Sequence, residues 1–470
     1  MKKIIPFSLY IAISIVLIIS IIHAKSHLKK YDNYFIAENG IKYHGVINEA
    51  PLFYILIEAQ KFKNKLSKKK NEENLNKAGY KSHFLPSKII GFYGYLVNFD
   101  FFEEDFSQLS FDNPNQDLHD VFTINSGGKF LYLIIQKLFY LMVVFYFYLS
   151  LKKKIPNSKI PIFSAIFLLI EPSINQYHIS FHGESIFFSL LILLLTILVN
   201  LPQKNIYYLL IGFLLIILML QRSVSFLLPF VVILLTVIQY KKESYTKIII
   251  IFLSYIIFIL AIGYSNYKKS NNFYFMPWQT KSDLYDYLIP AIIKERDDLS
   301  DEQVKKILSN KQENFIIKKN LNINMEEQRY ELLKFKQKYA FKIILQNKFL
   351  ALKTIFINSL HSTLLNPVEQ IFKSKYGSSY YKSDTHQKTI KYRIFYSVLL
   401  YSIILLGIIT ALKNKYYYTY PFLLISAYFF TISSWIGYTR YFTPVLLTLV
   451  IFFGIGSSVI YNKIKFKNLK

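Results

Sequence analysis

The stretch IYYLLIGFLLIILMLQRSVSFLLPFVVILLTVIQYKKESYTKIIIIFLSYIIFILAIGYS, residues 206–265, consists of three apolar runs and two short breaks. Its only charges are Arg222 at the first break and Lys241, Lys242, Glu243 and Lys247 around the second. Apolar runs approaching ~20 residues are long enough to cross the hydrocarbon core of a bilayer as helices. Lysines mark the cytoplasmic ends of such helices. The break at 241–247 is therefore read as inside and the break at 222 as outside.

Working outward, the same pattern recurs at 4–22, 130–150, 157–170, 185–200, 394–412, 416–436 and 442–461. With the three central runs this gives an all-α polytopic membrane protein of roughly ten transmembrane helices. The run at 4–22 is longer than the apolar region of a secretory leader and is read as an uncleaved first helix. If the N-terminus lies inside, the segments 1–3, 151–159, 201–205, 241–247, 413–415 and 462–470 are inside too, and each carries lysine. The short outer turns, near 171–184, 222 and 437–441, carry none. Every short loop thus agrees on one orientation, with both termini cytoplasmic in a plasma (inner) membrane.

Two long extracytoplasmic loops follow, 23–129 and 266–393. The organisation is an N-terminal membrane module (1–265) carrying the first loop, then the second loop (266–393), then C-terminal helices with a basic tail (394–470). Residues 89–106 are aromatic and half-apolar and read as an interfacial helix. Residues 340–365 are apolar but interrupted by Lys342, Lys348 and Lys353, and read as an amphipathic helix on the membrane; if they crossed, they would make an eleventh span.

The net charge of +27 would suit a nucleic-acid partner, yet most lysines stand at the ends of apolar runs and encode topology, so that partner is rejected. Cysteine is absent, which excludes disulfides, thiolate catalysis and cysteine-ligated metals. Ser126-Gly127-Gly128-Lys129 lacks the spacing of a phosphate-cradling loop.

Arginine is the sharpest chemical signal. There are 51 lysines and five arginines: Arg222, Arg296, Arg329, Arg393 and Arg440. Where lysine is the general cation, an arginine answers a need for a planar, permanently charged fork. Arg222 and Arg440 are the basic residues of the short outer turns, where a guanidinium pair suits a phosphate headgroup or snorkels to lipid phosphates. Among carboxylates, Asp32 follows the first helix among aromatics and suits either a general base or a helix N-cap. Glu171 and Glu184 bracket an outer turn that also holds His178 and His182. The two histidines, four apart, would suit a metal on one helical face, but the pair lacks the glutamate of the zinc-protease motif. Hydrogen bonding or substrate contact fits them better. No cofactor is required, and a divalent metal stays open. His44, Glu49 and Lys137 are lesser candidates; Lys137, a third of the way into a span, reads as snorkelling.

Taken in order, these segments resemble the GT-C superfamily of lipid-linked-sugar glycosyltransferases, and within it the protein-mannosyltransferase-like and aminoarabinose-transferase-like family. Asp32-Asn33-Tyr34-Phe35-Ile36-Ala37-Glu38-Asn39-Gly40 resembles that family's first-loop acidic motif, an Asp, then Tyr, then a small-residue helix. Ala50-Pro51-Leu52-Phe53-Tyr54 is similar to its Pro-Pro-Leu-x-Tyr. Pro172 through Glu184-Ser185 is similar to its Pro…Thr-Glu segment, Gln221-Arg222-Ser223 with Pro229 to its Arg-Pro…Pro hairpin, and Thr439-Arg440-Tyr441-Phe442-Thr443-Pro444 to its Arg-Tyr-x-x-Pro. The chain departs in having Asn33 where a second acid is frequent, Ser223 for Pro and Ser185 for Thr. The resemblance implies inverting transfer of a sugar from a polyprenyl-phosphate carrier at the outer face. Asp32 would be the catalytic base, and Arg222, Arg440, Glu184, Glu171, His182 and Tyr441 would hold substrates. The expected partners are a polyprenyl-phosphate-linked sugar, an acceptor of unstated class and membrane lipids. A glycan polymerase or O-antigen ligase, and a lipid or polysaccharide flippase, are the rival readings.

Overall fold

The computed structural model describes residues 129–179, 184–200, 204–241, 244–270, 284–321, 326–376, 384–436 and 439–467, with shorter stretches at 13–14, 18, 34–36, 42–44, 59–67, 84–98, 100 and 273. The expected first helix, apart from a few residues, lies outside the described residues.

The chain is a helical membrane protein. Among the described residues four helices are long and apolar enough to cross a bilayer: Leu131–Lys154, Ser223–Tyr240, Ser244–Ser265 and Thr389–Lys413. A bent pair, Phe442–Thr448 with Val450–Ile464, makes a fifth if taken as one span. Three shorter apolar helices, Ile160–Ile170, Glu184–Val199 and Asn205–Gln221, coincide with expected spans.

The helices fall into two compact units, each discontinuous in sequence. The first comprises Met1–Asn200, Pro367–Thr419 and Leu449–Lys470. It opens with a two-stranded antiparallel hairpin, β1 (Tyr34–Ile36) and β2 (Lys42–His44), with Phe35 opposite Tyr43. The family resemblance had placed a helix after Tyr34. Tyr-Phe-Ile is instead a short strand, as aromatic and β-branched residues before an Asn-Gly pair would favour. Helix α1 (Phe84–Leu96) starts five residues before the segment expected at 89–106 and ends within it; residues 101–106 lie outside the described residues. It crosses the helical residues 59–66 so closely that a side chain at Gly91 would collide with the carbonyl of Ala59. Lys63, one of six lysines between residues 61 and 70, is buried there and pairs with Asp100 at 2.5 Å, with Gln60 donating to the same carboxylate oxygen.

Helix α2 (Lys129–Lys154) packs on α3 (Ile160–Ile170) and α4 (Glu184–Val199). Helix α12 (Asp384–Lys413) and the C-terminal α15 (Val450–Lys467) belong to the same unit. Within α15 the sequence Gly454-Ile455-Gly456 lets one helix approach two neighbours. A Cβ at Gly454 would strike Ser164 of α3, and one at Gly456 would strike the carbonyl of Ile403. Gly407 meets the carbonyl of Phe452 in the same way. Small residues at membrane helix crossings serve this purpose, because close backbone approach replaces the hydrophobic effect as the driving force.

The second unit comprises Leu201–Asn366 and Tyr420–Thr448. Helices α5 (Asn205–Gln221), α6 (Leu228–Tyr240) and α7 (Ser244–Ser270) are the three runs of the decisive stretch, with breaks where the charges predicted them. Beyond α7 the second loop folds on its own core. A turn at Leu284–Leu288 leads into α8 (Ile289–Asp297), then α9 (Asp301–Lys319), α10 (Glu326–Gln346) and α11 (Lys348–Tyr376). Ser300 and Gln303 form a reciprocal capping box that starts α9, satisfying two otherwise orphan amides. Ile289, Ile292 and Ile293 of α8 bury against Val304, Leu308, Ala340, Ile343 and Ala351.

Helix α12 (Asp384–Lys413) returns to the first unit, starting ten residues earlier than the apolar run suggested. Helix α13 (Tyr420–Ile436) packs on α6 and on the 284–288 turn. The last apolar run, expected as one helix, is two: α14 (Thr439–Thr448) and α15 (Val450–Lys467). Pro444 withholds an amide inside α14, and the Thr448 hydroxyl donates back to the carbonyl of Val445, both of which disturb the helical ladder just before the break.

Candidate functional site

The buried polar centre of the first unit is the connection after α3. Helix α3 must end at Glu171, because the following Pro172 disfavours helical backbone in the residue before it. Its last carbonyls then need donors in an apolar setting. Tyr140 of α2 donates to the carbonyl of Leu168 at 2.7 Å, and Asn175 Nδ2 donates to the carbonyls of Leu168 and Glu171 at 3.0 and 2.9 Å. Asn175 Oδ1 accepts from Lys137 Nζ at 2.6 Å. Lys137 is 3% exposed, so it does not snorkel as the sequence suggested; its short path to Asn175 keeps it inside.

Glu171 itself is 1% exposed. Its Oε1 accepts from the Ser173 hydroxyl at 2.9 Å and the Ser173 amide at 3.3 Å. Its Oε2 accepts from the Tyr396 hydroxyl of α12 at 2.6 Å. Burial raises the carboxyl above its ordinary range, and these donors pull it partly back. Next along, the carbonyl of His178 accepts from Gln136 Nε2 at 2.9 Å, and its Nδ1 lies 2.6 Å from Ser185 Oγ. Its ring packs on Tyr140 with centroids 3.8 Å apart. Burial, aided by the positive charge of Lys137, holds His178 well below its ordinary value, so it is neutral near pH 7. Glu184 is buried as the first residue of α4, where a carboxylate also suits the helix dipole.

The second unit holds the arginine turn. Arg222 closes α5 in an extended conformation, its amide donating to Leu218 at 2.9 Å, and its side chain is half-buried. Two tyrosines from other helices fasten this turn. Tyr428 accepts from the amide of Leu227 and donates to the carbonyl of Val224, while Tyr255 donates to the carbonyl of Phe226 at 2.7 Å.

Of the expected site residues, Glu171 and Glu184 flank one buried polar region, in which His178 contacts Ser185, the neighbour of Glu184; residues 180–183 lie outside the described residues. Arg222 belongs to the other unit. Arg440 and Tyr441 stand in the first turn of α14. Asp32 and His182 lie outside the described residues, as does Glu49. Among the described residues no group of three metal-ligating side chains occurs. The sequence reading passed over Tyr396, Ser173 and Asn175. Nothing in an apolar helix marks Tyr396 as the partner of a carboxylate 225 positions away.

No family model matches the chain, and no curated protein matches it. Among solved structures it is similar to the archaeal oligosaccharyltransferase AglB from Archaeoglobus fulgidus, determined in complex with an inhibitory peptide and a dolichol-phosphate, with a TM-score of 0.47 and 11% identity. The alignment covers 99% of this chain and 52% of that one, so the chain spans about half the length of that protein.

Proposed function

We propose that the protein is a membrane glycosyltransferase that moves a sugar from a polyprenyl-phosphate carrier to an acceptor hydroxyl at the extracytoplasmic face. The observation that carries the reading is the buried carboxyl of Glu171, held by Tyr396 and Ser173 in a connection that the lysine pattern puts outside. It immediately precedes Pro172, where the segment that resembles the Pro…Thr-Glu stretch of the GT-C glycosyltransferases begins. The other resembling motifs fall on the same side of an orientation derived independently from charge, with roughly ten spans and both termini inside.

In this reading Asp32 takes the proton of the acceptor hydroxyl as its oxygen forms the bond to the anomeric carbon. The bond from that carbon to the phosphate oxygen breaks on the opposite face, inverting the configuration. The polyprenyl phosphate leaves with the electron pair, and Arg222 and Arg440 stabilise its developing charge. Glu171 and Glu184, with His182 and Tyr441, orient sugar and acceptor. Helices α1 and α10–α11 lie along the bilayer surface and frame the portal for the lipid tail.

The test needs no knowledge of the acceptor. Cells lacking the protein should accumulate one polyprenyl-phosphate-linked sugar, and the wild-type gene should remove it. Asp32→Asn and Arg440→Lys, expressed to wild-type level, should leave the accumulation in place. Clearance by both variants as fast as by the wild type would sink the scheme.

A further inference from the structure

We propose that Arg393 is a phosphate-binding residue on the inner face of α12, one turn from the Tyr396–Glu171 pair. Nothing in the motif resemblance assigns it. The sequence placed it at the end of a loop, whereas α12 begins at Asp384 and carries Arg393 inside the first unit. It is 1% exposed and is the largest of the fully buried side chains. On a 3.6-residue helix, Arg393, Tyr396, Ser397, Leu400 and Ile404 share one face. Ser397, Leu400 and Ile404 are buried, while Tyr392, Phe395, Val398 and Leu399 on the other side are exposed. The arginine therefore stands about 4.5 Å along the axis from the tyrosine that holds Glu171, on the inward side.

Two further features point to a ligand there. Tyr401, five residues beyond Tyr396 and within electrostatic reach of Glu171, has a buried hydroxyl without a hydrogen-bond partner among the described residues. His178 Nε2 is buried in the same condition. Two uncommitted polar atoms thus lie in the buried surroundings of the Glu171 connection, and Arg393 stands one turn along α12 from the tyrosine that binds this carboxyl. Arg393 takes part in contacts within the chain, but a guanidinium has five N–H donors and can serve a neighbour and an anion together. In a chain that uses lysine nearly everywhere else, a buried fork of fixed geometry fits two oxygens of one phosphate.

The inference rests on the lipid-linked-donor reading for the source of the phosphate, and the experiment separates the two. The full chain in lipid nanodiscs is titrated with a long-chain polyprenyl monophosphate, with the corresponding polyprenol and with inorganic phosphate. Arg393→Gln should weaken the polyprenyl monophosphate by about tenfold or more and Arg393→Lys by several-fold, with polyprenol binding and melting temperature unchanged. Equal weakening of inorganic phosphate would place a free-phosphate site at Arg393 and refute the lipid source alone. This holds even if no sugar transfer is ever observed. Binding of the monophosphate within about twofold of wild type in both variants would overturn the proposal. So would parallel loss of polyprenol binding and melting temperature, which marks a structural partner. If Arg393→Gln does not fold, a photoreactive phosphate analogue on the wild type decides: its label should map to residues 389–401, and a map without them would refute the site.

Discussion

Two connections that the lysine pattern assigns to one side of the membrane are built in opposite ways. The 171–184 connection keeps a carboxyl, a lysine and a histidine almost entirely from solvent and spends its hydrogen bonds on them. The 222–227 connection leaves its arginine half-buried and spends its hydrogen bonds on backbone, through Tyr428 and Tyr255. The first fixes a charge-bearing side chain through its own hydrogen bonds; the second fixes the backbone turn that carries one. The contrast between the two turns predicts different failures when each is altered.

The largest effect should come from Glu171. Glu171→Gln keeps the shape but replaces a charge-assisted contact with a neutral one, and transfer should fall about 10- to 100-fold in the lipid-sugar clearance assay. Glu171→Ala should also lower stability, by about 1–3 kcal/mol for each buried donor left without an acceptor, chiefly the Tyr396 hydroxyl. A Gln variant as active as wild type would reduce this connection to a structural cap and erase the contrast.

Acidity sharpens the same point. Because burial raises the Glu171 carboxyl, its protonation begins above the ordinary value of 4.5. If the ionised form orients substrate, the rate should fall about tenfold per pH unit once the pH drops below the raised value, and Glu171→Gln should lack that limb. Stability should move the other way. A raised native carboxyl binds its proton more tightly than the unfolded one, so this contribution is complete below pH 4.5 and is lost as pH rises through the native value. A melting curve on wild type and Glu171→Gln across that window reads both signs.

The arginine turn should break more gently. Tyr428→Phe removes the hydroxyl that joins the amide of Leu227 to the carbonyl of Val224. The expected cost is about 1 kcal/mol in stability, with transfer reduced only a few-fold. A loss as large as that of Glu171→Gln would mean that the turn, too, holds its side chain rigidly.

Much of this architecture was legible because bilayers impose a simple code. Lys241 and Lys242 against Arg222 mark the ends of three helices, and α5, α6 and α7 begin and end near those charges. The same logic flagged Glu171, since a carboxylate at the end of an apolar run is costly without a purpose. It could not supply Tyr396, because pairing across helices depends on tertiary packing rather than periodicity. It misplaced Lys137 for a related reason: snorkelling is the default for a lysine near a membrane helix end, and only the position of Asn175 cancels it. Arg393 was hidden by a boundary, because its polar neighbours Lys391 and His386 made the start of α12 resemble loop.

The smallest effect should come from the second loop, and it concerns which face of a helix meets lipid. Helices α10 and α11 carry Ala340, Ile343 and Ala351 into the loop's own core. On the other side Phe341, Leu345, Phe349, Leu352, Phe356 and Leu360 are exposed, at spacings of four, four, three, four and four. That spacing traces one continuous stripe across the break at Asn347, where the amide still donates to Ile343 and the carbonyl still accepts from Ala351. Both faces being apolar, the helix is not simply amphipathic. Its charges, Lys342, Lys348 and Lys353, border the stripe, and Lys353 pairs with Glu295 of α8. A helix lying in the interface presents such a stripe to acyl chains while flanking lysines reach headgroups. An environment-sensitive fluorophore at position 349 should therefore blue-shift in vesicles, more strongly with anionic lipid, and one at position 346 should not. Phe349→Ser should slow transfer only about twofold, since one apolar side chain of six leaves the interface, a loss of the order of 1–2 kcal/mol of burial shared by the whole helix. A probe that stays in water at both positions would detach the loop from the bilayer and leave the portal to α1 alone.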